Sequence, residues 1–425
     1  MPITTPVQMF SGSSASVGMI PMEGPGVGGG AQTYGPFRRG LNLFSVMQQN
    51  QSGLGNSFVK VMKSTDDGAT WSILDDANSP IRYALDASPA LISGAFWDGA
   101  DTITVAYNPT HFLFGGVGSA VVLLTFDLIS ETWGSVFGTV GAPIVNAVNQ
   151  IFIRPDGSLI LFTNRTMNGS SARGTRAIVF ASGIWGSPFN VDTNVTAGFN
   201  GNGVVYAVMD SATGIIHLFL KSFDGAFNTL ITYQQVLLNN TLGNFTNIPD
   251  GTLIYEVMEG LGNPVIVGNS LVWGVVDVTG TGPGILIGTP LINPIFSAPG
   301  GIIDPGFVPP AYSTLMPNLW LDGSLLWAMY QYTNTSGATL IRVGSTPNLL
   351  SPSTGWTFTT CYDTSLGSVQ LTYPGYCSFS IVSGEGLMTV QALAIGATYG
   401  DPTAYFLSFL SVLSTLSDPW FHLFT

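Results

Sequence analysis

An all-β ring of seven four-stranded antiparallel units is the fold this sequence predicts, with six or eight units as alternatives. Three observations point there. Gly (53) and Pro (26) are abundant in 425 residues, which favours short strands between turns over long helices. A pair of apolar runs recurs seven times along the chain. Small turns such as Asp98-Gly99, Asp156-Gly157 and Asp322-Gly323 precede most of these pairs, and Asp-Gly between apolar runs is a hairpin signal.

The first members of the pairs are LNLFSVM from Leu41, TITVAY from Thr102, SLILFT from Ser158, GVVYAVM from Gly203, SLVWGVV from Ser270, SLLWAMY from Ser324 and GLMTVQ from Gly386. Their starts are 61, 56, 45, 67, 54 and 62 residues apart. The second members begin at Ser57, Ser119, Arg176, Gly214, Gly284, Thr339 and Ala404. Four of them run on to a tryptophan, Trp71, Trp133, Trp185 and Trp356, and Trp420 stands in the same place near the end. A further apolar segment precedes most pairs, and another follows most of the tryptophans. That makes four strands per unit, the composition of a β-propeller blade. The runs are continuously apolar rather than alternating, as expected of sheets covered on both faces by neighbouring blades.

Residues 1–33 carry no period and are Gly-rich, so they are expected as a flexible arm, with the propeller over 34–425. The C-terminal WFHLFT is expected as an outer strand that helps close the ring. Cys361 and Cys377 are too few for a disulfide framework and read as free thiols, with a single pairing of the two as the alternative. No apolar span of roughly 18 residues and no signal peptide is apparent. Eleven Lys and Arg stand against 24 Asp and Glu, a formal net charge of −13. This argues against nucleic acid, which needs clustered cations.

The most specific segment is KSTDDGATW, Lys63 to Trp71. Its Ser64, Asp66, Gly68, Thr70 and Trp71 occupy the five positions of S-x-D-x-G-x-T-W. An Asp side chain there can accept hydrogen bonds from backbone N–H groups further on, and Gly permits positive φ. Asp67 is expected to face solvent. The segment resembles the Asp-box of sialidase-type propellers, and KSFDGAFN, Lys221 to Asn228, reads as a degenerate copy that keeps Asp224.

The resemblance implies, for a sialidase, three arginines gripping a carboxylate, a Tyr–Glu nucleophile pair and an Asp acid/base near the ring axis. This chain has Arg38, Arg39, Arg82, Arg154, Arg165, Arg173, Arg176 and Arg342, with none between the last two. Blades in that interval cannot contribute to such a triad. Glu256 and Glu259 would fall on opposite faces of one strand, which spoils a shared carboxylate pocket. No metal or cofactor motif occurs. His217 reads as a packed histidine within IIHLFL.

The expectation is therefore a non-enzymatic chain without cofactors. The informative surface is the set of loops between pair members, polar and aromatic but nearly uncharged. His111, Phe112, Phe114, Arg165, Arg173, Tyr332 and Tyr399 are the candidate contact residues. Composition and architecture resemble podovirus-type phage tail propellers, which implies a structural component of the virion, a nozzle, hub or tail tip. Its partners would be other virion proteins and further copies of itself. A glycan- or receptor-binding propeller is the alternative, and a sialidase-type glycosidase the third reading.

Overall fold

Among the described residues, apolar side chains from neighbouring sheets pack into shared clusters. The computed structural model describes residues 7–10, 33–51, 56–74, 82–84, 91–98, 100–108, 121–134, 138–140, 147–166, 173–191, 204–223, 229–248, 264–277, 282–296, 303–304, 317–322, 324–333, 339–363, 369–370, 378–382, 385–394 and 403–410. These form an all-β propeller of antiparallel sheets.

Six blades are built from strands consecutive in the chain. In blade 1 the order is Thr33–Arg39, Asn42–Gln51, Asn56–Ser64 and Ser72–Leu74, from inner to outer. Blade 2 starts at Leu91–Trp97 and continues through Thr102–Asn108, Val121–Asp127 and Thr132–Trp133. Blade 3 comprises Ala147–Ile153, Leu159–Thr166, Arg173–Ala181 and Ile184–Trp185. Blade 4 is Val204–Met209, Ile216–Phe223, Thr229–Val236 and Leu242–Asn247. Blade 5 contains Val265–Val267, Ser270–Asp277, Gly282–Thr289 and Ile295–Phe296. Blade 6 contains Asn318–Asp322, Leu325–Thr333, Thr339–Thr346 and Thr357–Asp363.

The remaining strands do not make a blade of this kind, which corrects the expectation of seven alike. Ser378–Val382, Glu385–Ala394 and Thr403–Leu410 share a sheet with Val7–Phe10, from the other end of the chain. Val7 pairs with Phe406 and Phe10 with Ala404. This sheet of both termini stands between blade 6 and blade 1, since Ser378–Val382 touches the inner strands of both. The rest of the segment expected as an arm, and the C-terminal WFHLFT with Trp420, lie outside the described residues. Cys361 is in the outer strand of blade 6, and Cys377 is likewise outside.

The pairing also corrects the register of blade 4. The run GVVYAVM supplies its inner strand, Val204–Met209, whereas every other first member supplies a second strand. The true equivalent starts at Gly214, so the irregular spacings of 45 and 67 become 56 and 56. KSFDGAFN consequently falls between the second and third strands rather than between the third and outer ones, and its residues from Asp224 on lie outside the described residues.

Alternation along each strand sends neighbouring residues to different blades. In blade 3, Leu159 and Leu161 pack toward blade 2 with Leu123. Ile160 and Phe162 pack toward blade 4 with Ile216, Leu218 and Leu220. Between blades 4 and 5, Phe219 stacks on Trp273 at 4.3 Å between ring centroids. Side chains such as Trp273 and Trp327 are fully buried this way. Close approach between blades 5 and 6 demands a glycine: a Cβ on Gly274 would stand 1.9 Å from the Pro317 carbonyl oxygen. We expect Gly274→Ala to destabilise the protein by about 1–3 kcal/mol, through forced displacement of Pro317. Urea denaturation at neutral pH checks this, and an unchanged midpoint would contradict the close inter-blade contact.

Candidate functional site

A propeller of this topology has two unlike ends. Turns between inner and second strands, and between third and outer strands, lie at one end with the Asp-box. Hairpins between second and third strands open at the other, here called the loop end.

At the Asp-box end the motif folds as its residues suggest. Thr70 N–H donates to Asp66 Oδ1 at 2.8 Å, and the Thr70 hydroxyl donates to Oδ2. Gly68 N–H donates to Ser64 Oγ at 2.8 Å, and that hydroxyl donates to Asp66. Asp67 and Gly68 take φ of 57° and 89°, which closes the turn. Trp71 Nε1 donates back to the Gly68 carbonyl at 3.1 Å. The hydrogen bonds from Thr70 hold the Asp66 carboxyl below its ordinary value of 3.8. Asp67 does more than face solvent: it accepts from Arg38 Nη2 at 2.6 Å, tying the turn to the inner strand.

Other blades solve the same turn differently. In blade 2 Asp127 Oδ1 accepts from Ile129 N–H and Ser130 N–H. In blade 4 Asn239 Oδ1 accepts from Thr241 N–H. Longer turns, GTPLINPIF and GSTPNLLSPSTGW, occupy this place in blades 5 and 6, and in blade 6 Trp356 Nε1 donates to the Pro352 carbonyl at 2.7 Å.

The scarce cations are spent here as ties between blades. Arg39 pairs with Asp101 and Lys63 with Glu131, linking blade 1 to blade 2. Arg154, buried in blade 3, donates to Asn240 Oδ1 at 2.6 Å and to the Leu238 carbonyl in blade 4. Burial lowers its affinity for the proton.

A half-buried polar cluster joins blades 5 and 6. Asp304 lies in the connection between them, one residue after Ile303, whose N–H donates to the Pro283 carbonyl. Tyr330 Oη donates to Asp304 Oδ2 at 2.6 Å. Arg342 Nε donates to the same oxygen at 2.7 Å, and Nη1 donates to Thr360 Oγ1 at 2.8 Å. Burial and the bond to Asp304 push the Tyr330 phenol well above its usual value. For Arg342, burial opposes the charge and is the largest single influence, but the interactions with Asp304 and Tyr330 together outweigh it and raise the guanidinium. Tyr330 thus stays protonated, as a donor that orients Asp304. Sequence reasoning missed this cluster because Asp304 is 38 residues from Arg342, in a Gly- and Pro-rich connection.

His217 is buried as expected of a packed histidine, and its Nδ1 lies 2.7 Å from Tyr233 Oη. Burial lowers its pKa to about 4 from 6.5, so the imidazole is neutral at pH 7. No group of three or more His, Cys, Asp or Glu among the described residues could hold a metal ion.

At the loop end, Arg165 pairs with Gly174 and Arg173 with Thr166, beside one hairpin of blade 3. Tyr332 pairs with Leu340 beside the corresponding hairpin of blade 6, three blades away. The backbone thus brings Arg165 and Arg173 together and keeps Tyr332 apart. His111, Phe112, Phe114 and Tyr399 lie outside the described residues.

No protein-family model matches the chain, and no curated protein matches it. Among solved structures, a polysaccharide lyase, PL25 ulvan lyase, aligns with a TM-score of 0.53 and 10% identity. The alignment covers 98% of this chain and 100% of the lyase. The chain has the fold of sialidase-like β-propellers. Phage phi92 endosialidase aligns at 0.47 and 10% identity, over 93% of this chain and 69% of that one. Trypanosoma rangeli sialidase aligns at 0.45 and 12%, over 97% and 59%. The likeness to the ulvan lyase shows the fold. It also corrects the expectation of a non-enzymatic chain, because that structure is named as an enzyme, a polysaccharide lyase. Lack of a sialidase arginine triad was too narrow a ground, because the same fold carries other carbohydrate chemistry.

Two outcomes follow. Asp304→Ala leaves Arg342 without its carboxyl partner between blades and should cost about 3 kcal/mol, whereas Tyr330→Phe should cost about 1 kcal/mol. Equal effects in urea denaturation would contradict the assigned geometry. For His217, the unfolded chain takes up a proton below pH 6.5, while the folded protein resists it until about pH 4. The group's contribution is therefore complete above pH 6.5 and declines as pH falls toward 4, by about 3 kcal/mol in all. His217→Gln should flatten that part of the stability–pH curve, and a curve of unchanged slope would refute the assignment.

Proposed function

We propose that this chain is a polysaccharide-directed propeller of a bacteriophage tail, with its loop end as the contact face. The observation that carries the reading is the division of labour between the two ends. Arg38, Arg39, Lys63 and Arg154 are engaged in structural ties at the Asp-box end. The loops of the other end, PTHFLFGGVG, NRTMNGSSARG, QYTNTSG and AIGATYGDPT, carry aromatic, amide and hydroxyl groups with few charges. Rings flanked by such groups suit the apolar faces and hydroxyls of sugars. Phe112, Phe114, Tyr332 and Tyr399 supply the rings, His111, Arg165 and Arg173 the polar contacts. A virion setting is supported by the composition, low in Lys and Glu and rich in Gly, Ser, Thr and Asn. In that setting the glycan is one of the host surface, and other virion proteins are the partners.

Affinity electrophoresis through gels of neutral and of uronate-bearing polysaccharides tests the reading, with reducing ends and unsaturated products assayed in the same mixtures. Retention by at least one polysaccharide is expected, weakened roughly tenfold by Tyr332→Ala, a loss of about 1.4 kcal/mol. Product release distinguishes a glycan-cleaving propeller from one that only binds. Neither retention nor products with any polysaccharide would overturn the reading.

A further inference from the structure

Cations are scarce in this protein, with 11 Lys and Arg in 425 residues. Arg38, Arg39, Lys63 and Arg342 each meet a carboxylate, and Arg154 meets an amide and a carbonyl of the next blade. Blade 3 departs from this pattern at its loop end. Arg165 stands near the end of the second strand, and Arg173 and Arg176 stand at the start of the third. The register pairs Thr163 with Arg176, Arg165 with Gly174 and Thr166 with Arg173. All three arginines therefore fall within three steps of the ladder, about 10 Å of strand. Alternation places Arg165 and Arg176 on the face of Leu159 and Leu161, toward blade 2. It places Arg173 on the face of Ile160 and Phe162, toward blade 4. The hairpin end is thus basic on both sides.

Opposing charge is sparse there. No Asp or Glu occurs between Asp156 and Asp192. Asp156 belongs to a turn at the Asp-box end, where its Oδ1 accepts from Ser158 N–H. Asp192 follows Val191, whose N–H donates to the Thr175 carbonyl, so one carboxylate returns toward three arginines. Neighbouring blade 2 has no Asp or Glu between Asp101 and Asp127, and both of these lie in Asp-box-end turns. Other blades carry a single cation, a balance or acid at the loop end. Arg82 pairs with Phe58 in blade 1, Lys221 stands near Asp224 in blade 4, and Asp277 and Asp363 mark blades 5 and 6.

Three guanidinium groups this close repel one another, and one carboxylate does not balance them. Two further observations bear on what does. Arg176 Nε donates to Asn190 Oδ1 at 2.9 Å, which holds that guanidinium on its face of the sheet. Thr175, on the face of Arg173, is buried, and its hydroxyl has no hydrogen-bond partner among the described residues. A buried polar group of this kind calls for a partner.

We propose that the hairpin end of blade 3 recognises the anionic substituents, carboxylate or sulfate, of an acidic polysaccharide. The inference rests on the polysaccharide-directed reading and names the class of glycan. A guanidinium fork makes paired, charge-assisted hydrogen bonds to an oxyanion. A neutral glycan would leave the repulsion among the arginines unrelieved. Arginines on both faces suit a chain polyanion that crosses the end of the blade, with charged residues on either side of it.

Affinity electrophoresis of the purified full chain tests this in matched gels. Polygalacturonate and alginate are set beside their carboxyl-reduced forms, carrageenan beside its desulfated form, and single-stranded DNA serves as a polyanion without these sugars. Retention by at least one acidic polysaccharide is expected, at least tenfold stronger than by its uncharged counterpart. The uronates and the carrageenan distinguish carboxylate from sulfate. Arg165→Gln combined with Arg173→Gln should weaken retention roughly tenfold or more. Lys221→Gln, at the loop end of blade 4, should leave it unchanged, and an unchanged thermal midpoint should verify that each variant folds. Retention by neutral polysaccharides alone overturns this inference and leaves the polysaccharide-directed reading standing. Retention by no polysaccharide overturns both. Acidic retention that ignores the double substitution, or that falls equally with Lys221→Gln, overturns the assignment to blade 3. Equal retention by single-stranded DNA overturns the glycan class.

Discussion

Burial of both faces of every blade is the constraint on which the rest of this structure depends. A four-stranded antiparallel sheet with Leu159 and Leu161 on one face and Ile160 and Phe162 on the other cannot be stable in water by itself. Each blade is completed by its neighbours, and the ring is the arrangement that leaves no end blade exposed. The requirement reaches the backbone at Gly274, where blade 6 approaches closely enough to exclude even a methyl group. It also explains why the sheet between blades 6 and 1 recruits strands from both ends of the chain.

Electrostatics works within that frame and is sparse. With 8% charged residues, the protein uses Arg38, Arg39, Lys63, Arg154 and Arg342 as specific ties. Arg39 and Lys63 bridge blades 1 and 2, Arg154 bridges blades 3 and 4, and Arg342 joins the connection from blade 5 to blade 6. Buried or half-buried ion pairs contribute registration more than net stability. Such ties suit a fold in which similar sheets could otherwise slide against one another. The same economy leaves the outer turns of blades 4–6 without charge, and at the loop end it sets the blade 3 arginines among aromatic and amide chemistry.

Much of the fold was legible in one dimension. The recurrence of strand pairs, the small turns and the tryptophans at the start of outer strands mapped onto blades 1, 2, 3, 5 and 6 in register. Blade 4 was misread by one strand, because VVYAVM and IIHLFLKS are both apolar runs after a glycine turn, and nothing local separates an inner from a second strand. The Asp-box residues Ser64, Asp66, Gly68, Thr70 and Trp71 met as expected, since the hydrogen bonds that close the turn span four residues or fewer. The Asp304–Tyr330–Arg342 cluster could not be read this way, because it joins a Gly- and Pro-rich connection to two strands of the next blade.

By itself the sequence determined what depends on neighbours along the chain. Apolar periodicity set the strands, Gly and Asp at positive φ set the turns, and the run of residues from Ser64 to Trp71 set a hydrogen-bonded turn within the reach of its own side chains. Only the tertiary structure decided what depends on which sheet faces which. It decided that Val7–Phe10 completes the last sheet, that Asp67 meets Arg38 and that Asp304 serves Arg342. It also decided that the exposed isoleucines and leucines of blades 1–6 share one end of the ring. The physical reason is range: a turn is chosen by hydrogen bonds that a few residues can make among themselves. An inter-blade contact is chosen by burial, and burial is a property of the closed ring.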